Sequence, residues 1–566
     1  MSTEPNKNIK EPDVEEQTEH RELAPGVVLF KEYKRRDMKD QVGIFIWRVQ
    51  ITTMSVVDFE VHLDQSENIE LEGESAGSLK TINQIFPFET KEVARVVLKN
   101  NWKLKSKFKL TMNVPNKDIQ YSYLENEEKL LAAQIEDFKL KTTEISFDHL
   151  KREESEDILH QIGAKFIDCD FLPNDQAMIH TRYGEAMKEV FDYVVHWRRP
   201  ENFCLEPNEA DIRVFNYNEP EPNDIQPGIL PDNHLASALS ALAEKFNLIK
   251  RLFLSEIASK NGIHFVKLCV NGEWTTVIID DLFPCIPMSN PLVTRSPGNE
   301  LWVLILEKAL AKVYDSYYSL INVNIADFFL TLTGCPTLYL NVDEVYKLEG
   351  FENLLKKIKN FVVDKKYLTV AISRTIDSDS EITDNEDPAD EMLTVSNFGY
   401  TILDVKSKMK DSLIVLRKVW YDAKKEDKIK KYEENYLKAN PILKADMNEG
   451  TLVLTFEDFL KEFAFLSICY TKNWEEVRIR GKFVQLKEAE SGDEIVISKW
   501  YYSLSLDKVT NIIISLHQDE TIKDSESRKQ MMDISLTILK QDNQANELHQ
   551  RHRRRLRHRW RCAASC

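Results

Sequence analysis

QPGILPDNHLASALSALAEKFNLIKRLF, residues 226–253, begins as a loop punctuated by proline and glycine and continues as a helix. Leu235, Leu239, Leu242, Phe246 and Ile249 recur at helical spacing, and the alanines between them favour a tightly packed helix. Behind Pro231, Asp232 and Asn233 are good N-cap residues for its start.

The same stretch, with EPEPNDI (219–225) upstream, resembles the nucleophile motif of the calpain family of papain-like cysteine proteases, roughly QGxLGDCWFLSALSALAE. Where the family has its catalytic cysteine, this chain has Asn233, and the family tryptophan just after it is His234. Papain-type chemistry needs a thiolate, an imidazole to take and return its proton, and a side-chain amide to orient the imidazole. The thiol belongs at the first turn of a helix, where the macrodipole and the cationic imidazole lower its pKa. Asn233 offers no comparable nucleophile.

The resemblance places the other members of the site as well. LTVSNFGYTILDV (393–405) matches a family stretch like GLVSGHAYTILDV and puts Phe398 at the base position, where it cannot carry a proton. LRKVWYD (416–422) matches LRNPWG and puts Lys418 at the orienting asparagine; an ammonium has no acceptor for an imidazole N–H. The oxyanion glutamine falls at Pro227, one residue from Gln226, while Trp420 keeps the wall of the cleft. Cys204, Cys269, Cys285 and Cys335 lie near neither the helix start nor a base motif, so no displaced triad is expected. For calcium, the family's first-lobe carboxylates correspond to Asp224 and Glu300. Two hard carboxylates plus loop carbonyls suit Ca²⁺, although a turn cap at Asp224 and a helix start at Glu300 explain the same residues. The second-lobe site corresponds to KKEDKIKKYEE (424–434), where lysines stand in place of ligands.

Outward from this motif, the first lobe is expected over 165–340. KFIDCDFLPNDQAMIH (165–180) and WRRPENF (197–203) resemble the family's opening segment. VKLCVNGEWTTVIIDD (266–281) reads as two strands around a tight Asn271-Gly272 hairpin. GNELWVLILEKALAKVYDSY (298–317) reads as an amphipathic helix, and LTGCPT (332–337) closes the lobe. The second lobe is expected over 341–475, with strands at 367–373, 399–405, 412–417 and 451–455. Its acidic run DSDSEITDNEDPADE (377–391) lacks the glycine an EF-hand turn needs and reads as a solvated loop.

Before the lobes, residues 1–24 are polar and charged and are expected to be disordered. From 25 to 125 alternation dominates, as in Val57, Phe59, Val61 and Leu63, which predicts a small β-sandwich. Its lysine stripe, Lys99, Lys103, Lys105, Lys107 and Lys109, is a solvated strand face or a dock for an acidic partner. Residues 126–164 read as a charged connector with patchy helical periodicity.

After the lobes, 476–541 resembles the start of a C2-like β-sandwich, with strands at VRIRGKFV, KWYYSLSL, NIIISLHQ and ISLTIL. Four strands are about half of such a sandwich and leave an apolar face uncovered. In 542–566 the composition changes: RHRRRLRHRWR (551–561) holds seven arginines and no lysine. A basic interaction tail explains the arginines; an altered reading frame explains the tail and the short sandwich together.

The formal net charge of −18 argues against a general nucleic-acid binder. Eight scattered cysteines without CxxC pairs, no apolar signal-peptide core and no membrane-length apolar run point to a reduced, cytoplasmic protein without a transmembrane segment. Cys562 lies one residue too far from the end for a prenylation box.

The expected fold is α+β, a two-lobed calpain/papain-like protease core flanked by β-sandwich domains. The expected function is that of a calpain-type homologue without proteolytic activity, binding a protein or peptide partner as a scaffold, with calcium at one first-lobe site. The alternative is an active calcium-dependent calpain-type endopeptidase, which the residues at 233 and 398 oppose. A calcium- or lipid-responsive sandwich adaptor is a third reading. Partner identity and oligomeric state are not legible in the sequence.

Overall fold

The computed structural model describes residues 16–24, 27–38, 41–51, 56–72, 79–85, 90–113, 117–179, 195–203, 212–215, 220–230, 232–286, 290–296, 299–375, 393–408, 411–417, 450–472, 474–481, 483–484, 497–498, 505 and 507–517. They form an α+β fold.

Eight strands come first: Glu16–Ala24 (β1), Val27–Met38 (β2), Gln41–Ile51 (β3), Val56–His62 (β4), Glu67–Leu71 (β5), Lys80–Ile85 (β6), Thr90–Lys103 (β7) and Lys107–Asn113 (β8). They make a five-stranded sheet, β1-β2-β3-β7-β5, and a three-stranded sheet, β6-β4-β8, that close on one core around Trp47, Val49, Phe59 and Val61. Alternation sends Val57, Phe59 and Val61 inward and leaves Asp58, Glu60 and His62 on the outer face. One expectation is corrected here. Glu16–Ala24 falls in the stretch read as disordered, yet it pairs antiparallel with β2, because edge pairing uses backbone groups that a polar sequence still supplies. The lysine stripe is largely neutralised within the sheets, with Lys99 on Glu70 at 2.9 Å, Lys103 on Glu67 at 3.3 Å and Lys109 on Glu60 at 3.2 Å.

The connector is helical: Lys117–Lys141 (α1) begins soon after β8, and Arg152–Ile162 (α2) follows, ended by Gly163 in the left-handed region. Phe138, Phe147, Leu159 and Phe166 form a cluster with Ile263 and Phe265, so these helices dock on the first lobe.

That lobe contains the short elements Asp175–Met178 (α3) and His196–Arg198 (β9), then Asn233–Ala243 (α4), Asn247–Lys250 (α5), Ile263–Val270 (β10), Glu273–Asp280 (β11), Phe283–Cys285 (β12), Trp302–Val313 (α6), Tyr317–Leu320 (α7) and Ile325–Thr333 (α8). Val270 pairs with Glu273 across Asn271 and Gly272, both at positive φ (50° and 82°), which is the two-residue hairpin the sequence calls for. At the foot of the hairpin Asp280 is fully buried. It accepts from the Lys308 ammonium of α6, from the Leu282 N–H and from the Asp168 N–H, the last two at 2.8 Å. Arg199 pairs with buried Asp281 and donates to the Phe166 carbonyl at 2.9 Å. These charges are satisfied on several sides, as buried ions must be, and they hold the opening segment against the hairpin.

The second lobe is an antiparallel sheet of six strands in the order β13-β18-β14-β15-β16-β17. They are Thr337–Asn341 (β13), Leu368–Ser373 (β14), Gly399–Lys408 (β15), Asp411–Arg417 (β16), Thr451–Thr455 (β17) and Phe463–Cys469 (β18). Helices Val342–Glu349 (α9), Phe351–Lys359 (α10) and Phe456–Glu462 (α11) accompany them. The chain thus enters and leaves this lobe on the neighbouring strands β13 and β18, which pair from Thr337↔Cys469 to Asn341↔Phe465.

Beyond 472, Phe483–Val484 (β19) and Ile497–Ser498 (β20) pair. Residues 477–481 and 511–517 lie in expected strands but carry none, and the expected strands at 499–504 and 534–539 lie outside the described residues. The tail 542–566, the acidic run 377–391 and the stretch 424–434 are outside them too. No helix among the described residues is long and apolar enough to cross a membrane.

Candidate functional site

Helix α4 stands where the two lobes meet. Residues Leu235 to Ala243 are all buried, so the helix is covered on every side. A helix in that position must be thin, and Ala236, Ser237, Ala238, Ser240 and Ala241 make it so. One core runs from α4, α6 and α8 into β14–β18 without a break.

The hydroxyl of Ser237 couples the lobes. It donates to the Asn233 carbonyl one turn back at 2.6 Å and accepts from the Gly399 N–H of β15 at 2.9 Å. A Cβ at Gly399 would stand 2.6 Å from Ser237 Cβ and 2.7 Å from Ile325 Cδ1, so only glycine permits this approach. Arg417 of β16 adds an ion pair to Glu244 at 2.7 Å.

Asn233 is the first residue of α4 and is half-buried. Asp232 takes the N-cap position, but its side chain makes no capping bond, which corrects the capping role read from the sequence. Its carboxylate turns inward instead and accepts from the Thr294 hydroxyl at 3.0 Å, beside Glu307 of α6.

His234 reaches across the lobes. Its Nδ1 lies 3.2 Å from the Val323 carbonyl and its Nε2 lies 3.2 Å from the Asn397 side-chain oxygen. A carbonyl only accepts, so Nδ1 carries the proton. Burial pulls the His234 pKa down, although both contacts favour the charged ring. A neutral ring is then served best by the Asn397 amide turned to present its NH₂ to Nε2. Asn397 has φ 51°, a left-handed conformation that asparagine tolerates better than most residues.

The next residue, Phe398, is 1% exposed and belongs to the joint core, with the Tyr400 ring edge-on at 6.2 Å. Its main chain is held by Ser373, whose N–H donates to the Phe398 carbonyl and whose hydroxyl accepts from the Phe398 N–H, both at 2.9 Å. Lys418 and Trp420 are outside the described residues, and so is a contact between Phe398 and Trp420.

Gln226 pairs through its backbone with Arg295, at 2.8 and 2.9 Å. Pro227 is half-buried beside it, and Gly228 packs so closely that a Cβ would meet the Leu292 carbonyl at 2.2 Å. Asp224 ends a short 3₁₀ turn, Pro222–Asp224, and its carboxylate accepts from the Glu221 N–H at 2.7 Å, which is the turn-cap role. Glu300 is buried and bridges to Arg213 through the backbone, just ahead of α6. Among the described residues no three carboxylate, imidazole or thiol groups converge as metal ligands. A calcium ion on Asp224 and Glu300 would therefore draw most of its six to eight oxygens from carbonyls and water.

The features the sequence reading missed are Ser237, Asn397 and the Asp232–Glu307 pair. A serine and a glutamate on buried helical faces were the available signals; neither named its partner.

The sequence model described as calpain family cysteine protease matches residues 166–470. The calpain-type cysteine protease DEK1 of Arabidopsis thaliana is 33% identical over 172 residues, which is 30% of this chain and 8% of that protein. The calpain-1 catalytic subunit of Homo sapiens is 27% identical over 330 residues, 55% of this chain and 42% of that protein. The chain thus spans less than half the length of these curated relatives.

Two predictions follow from the burial. Among the described residues neither Glu307 oxygen nor Asp232 Oδ1 has a well-formed hydrogen bond from a donor group, and the two adjacent carboxyls are best accommodated by a shared proton. Burial raises Asp232 to about 6 and Glu307 well above its usual value. Groups with raised folded-state pKa values contribute stability that is complete below pH 4 and is lost as pH rises through about 6 and beyond. Glu307→Gln keeps a neutral donor and should flatten the fall in melting temperature between pH 5 and pH 8; a fall as steep as wild type's would refute the shared proton. Phe398→His should lower unfolding stability by about 1–3 kcal/mol, because it buries a polar ring among apolar neighbours. Urea titration at pH 7.5 measures this, and an unchanged midpoint would contradict the core placement.

Proposed function

This chain belongs to the calpain family of cysteine proteases, and from that membership we propose that it is a non-hydrolysing member that works by binding a protein or peptide partner. The observation that carries the proposal is Phe398, a phenyl ring buried in the joint core where the family resemblance calls for the proton-carrying imidazole. The helix start that the resemblance assigns to the thiolate carries Asn233, and the orienting position carries Lys418. His234 is the nearest imidazole to Asn233 along the chain, but its two nitrogens are engaged by Val323 and Asn397, and no thiol adjoins it in the sequence. What remains is a polypeptide-handling scaffold with binding as its use, and a scaffold needs no calcium-driven alignment of a triad. Any calcium is confined in this reading to one ion on Asp224 and Glu300. The described cysteines, Cys169, Cys269, Cys285, Cys335 and Cys469, are all free thiols, which fits the reducing cytoplasm.

The test is hydrolysis by the purified full chain of casein and of fluorogenic peptides, with millimolar calcium and with chelator. We expect no turnover above a heat-denatured control in either condition. Turnover in calcium that an epoxide-type cysteine probe abolishes, with the probe recovered on one cysteine, would overturn the proposal.

A further inference from the structure

The chain leaves the second lobe through β18 and turns back onto the first. Trp474 marks the turn, with its indole N–H donating to the Tyr470 carbonyl at 2.7 Å. Residues 475–481, EEVRIRG, then cross the tip of the β10–β11 hairpin and the joint between α8 and β13. Among the described residues no backbone hydrogen bond ties 475–481 to either lobe. Side chains hold the segment instead, and they alternate as in an extended chain. Val477 and Ile479 are exposed, while Arg478 and Arg480 meet the hairpin.

Arg478 is the centre of the grip. Its Nη1 donates to the Gly272 carbonyl at the hairpin tip at 2.6 Å, and its Nη2 donates to the Gly334 carbonyl in the joint at 3.1 Å. Nε and Nη2 also donate to Glu476 of the same segment, at 3.2 and 2.8 Å. The guanidinium lies 5.9 Å from the centre of the Trp274 ring, which Arg251 also approaches, at 5.6 Å. Gly272 and Gly334 both have positive φ, 82° and 64°. A Cβ on Gly334 would stand 2.7 Å from Trp274 Cζ2 and 2.8 Å from Arg478 Nη2, so the approach needs glycine there. Beside this contact Arg480 pairs with Glu273, and the His517 ring packs on the tip, where a Cβ on Gly272 would meet it at 2.8 Å. A planar fork of five N–H donors can serve two carbonyls and a carboxylate while its face rests on an indole. A lysine ammonium, as a point charge, cannot. The site therefore reads arginine and not merely positive charge.

We propose that the hairpin tip and the α8–β13 joint form a receptor for an arginine-x-arginine segment, filled in cis by Arg478 and Arg480, and that a polypeptide carrying the same motif takes the place of this strap. The grip consists of side-chain contacts, so the strap can leave without breaking a strand ladder. Arg478 supplies most of the hold. The Arg480 side chain is 84% exposed, and so solvated an ion pair adds direction more than strength. A tethered strap competes at an effective concentration on the order of millimolar, so an incoming partner prevails by adding contacts of its own. Its acceptors lie on the first lobe and on the passage into the second, which makes the strap a brace across both. The receptor stands whether or not the chain hydrolyses peptides.

The probe is the fluorescein-labelled peptide EEVRIRG, read by fluorescence polarisation against the full-length wild type and a full-length variant with Arg478→Ala and Arg480→Ala, whose site is vacated. The vacated protein should bind the peptide at least about tenfold more tightly than wild type, and Trp274→Ala added to it should weaken binding by about tenfold. The peptide EEVKIKG, equal in charge, should bind the vacated protein at least about tenfold more weakly. Equal affinity of the two peptides, equal affinity of wild type and vacated protein, or no binding to the vacated protein would each overturn the receptor. If the double variant does not fold, deuterium exchange on the wild-type chain decides. Millimolar EEVRIRG, and not EEVKIKG, should raise uptake across 475–481; unchanged uptake, or an equal rise with both peptides, would overturn the proposal.

Discussion

The Ser237 hydroxyl, donating to its own helix and accepting from the Gly399 N–H, fixes the separation of the two lobes. Everything near it follows from that close approach. It requires a glycine at 399, because a Cβ there has no room, and a helix of small side chains on α4. It also lets one apolar core extend from the helices of the first lobe into the sheet of the second. A core shared in this way couples the lobes through buried area rather than through a few polar contacts. Burial of apolar surface yields roughly 25 cal/mol per Å², so a continuous interface outweighs individual surface ion pairs.

The contacts that hold the lobes together lie beside the positions that the family resemblance assigns to chemistry, and most do not use them. Ser237 takes only the backbone of 233 and 399, and Glu244 meets Arg417 a full α4 length away. The scaffold can therefore keep its shape while the reactive side chains change. Phe398 is the exception, because its ring has joined the core. A polar base at that position would have to be paid for by hydrogen bonds that Ser373 and Tyr400 do not supply to a side chain there, since Ser373 already serves the Phe398 backbone and the Tyr400 hydroxyl accepts from the Val395 N–H at 2.9 Å.

Local signals in the sequence were the ones that translated into structure. The spacing of Leu235, Leu239 and Leu242 gave α4, Asn271-Gly272 gave the hairpin, and the strands of the second lobe at 399, 412 and 451 lie within a few residues of their observed bounds. Non-local information was hidden. β1 is polar and is a strand only because β2 lies beside it, and β18 is a short apolar run, FAFLSIC, that periodicity alone cannot assign. The Asp232 carboxylate looked like a helix cap because capping is a local property, while its partner Glu307 is seventy-five positions away in the chain. His234 likewise read as an isolated substitution, and Asn397 gives it a place only once the lobes are closed.

The polar groups retained inside this core show how charge is tolerated when its surroundings are arranged. Asp280 is buried with an ammonium and two N–H donors around it, so its oxygens are met by hydrogen bonds and an opposite charge. Asp232 and Glu307 are buried with no cation paired to them among the described residues, and a shared proton makes their approach favourable. Both pairs are anchored on α6, at the adjacent residues Glu307 and Lys308, which leave the helix about 100° apart and so address different neighbours. One face of α6 thereby fixes the hairpin and the opening segment, and the next fixes the loop that leads into α4. The start of α4 is positioned by this divided helix, so the geometry at Asn233 is inherited from a buried acid pair and does not require a reactive thiol at that place.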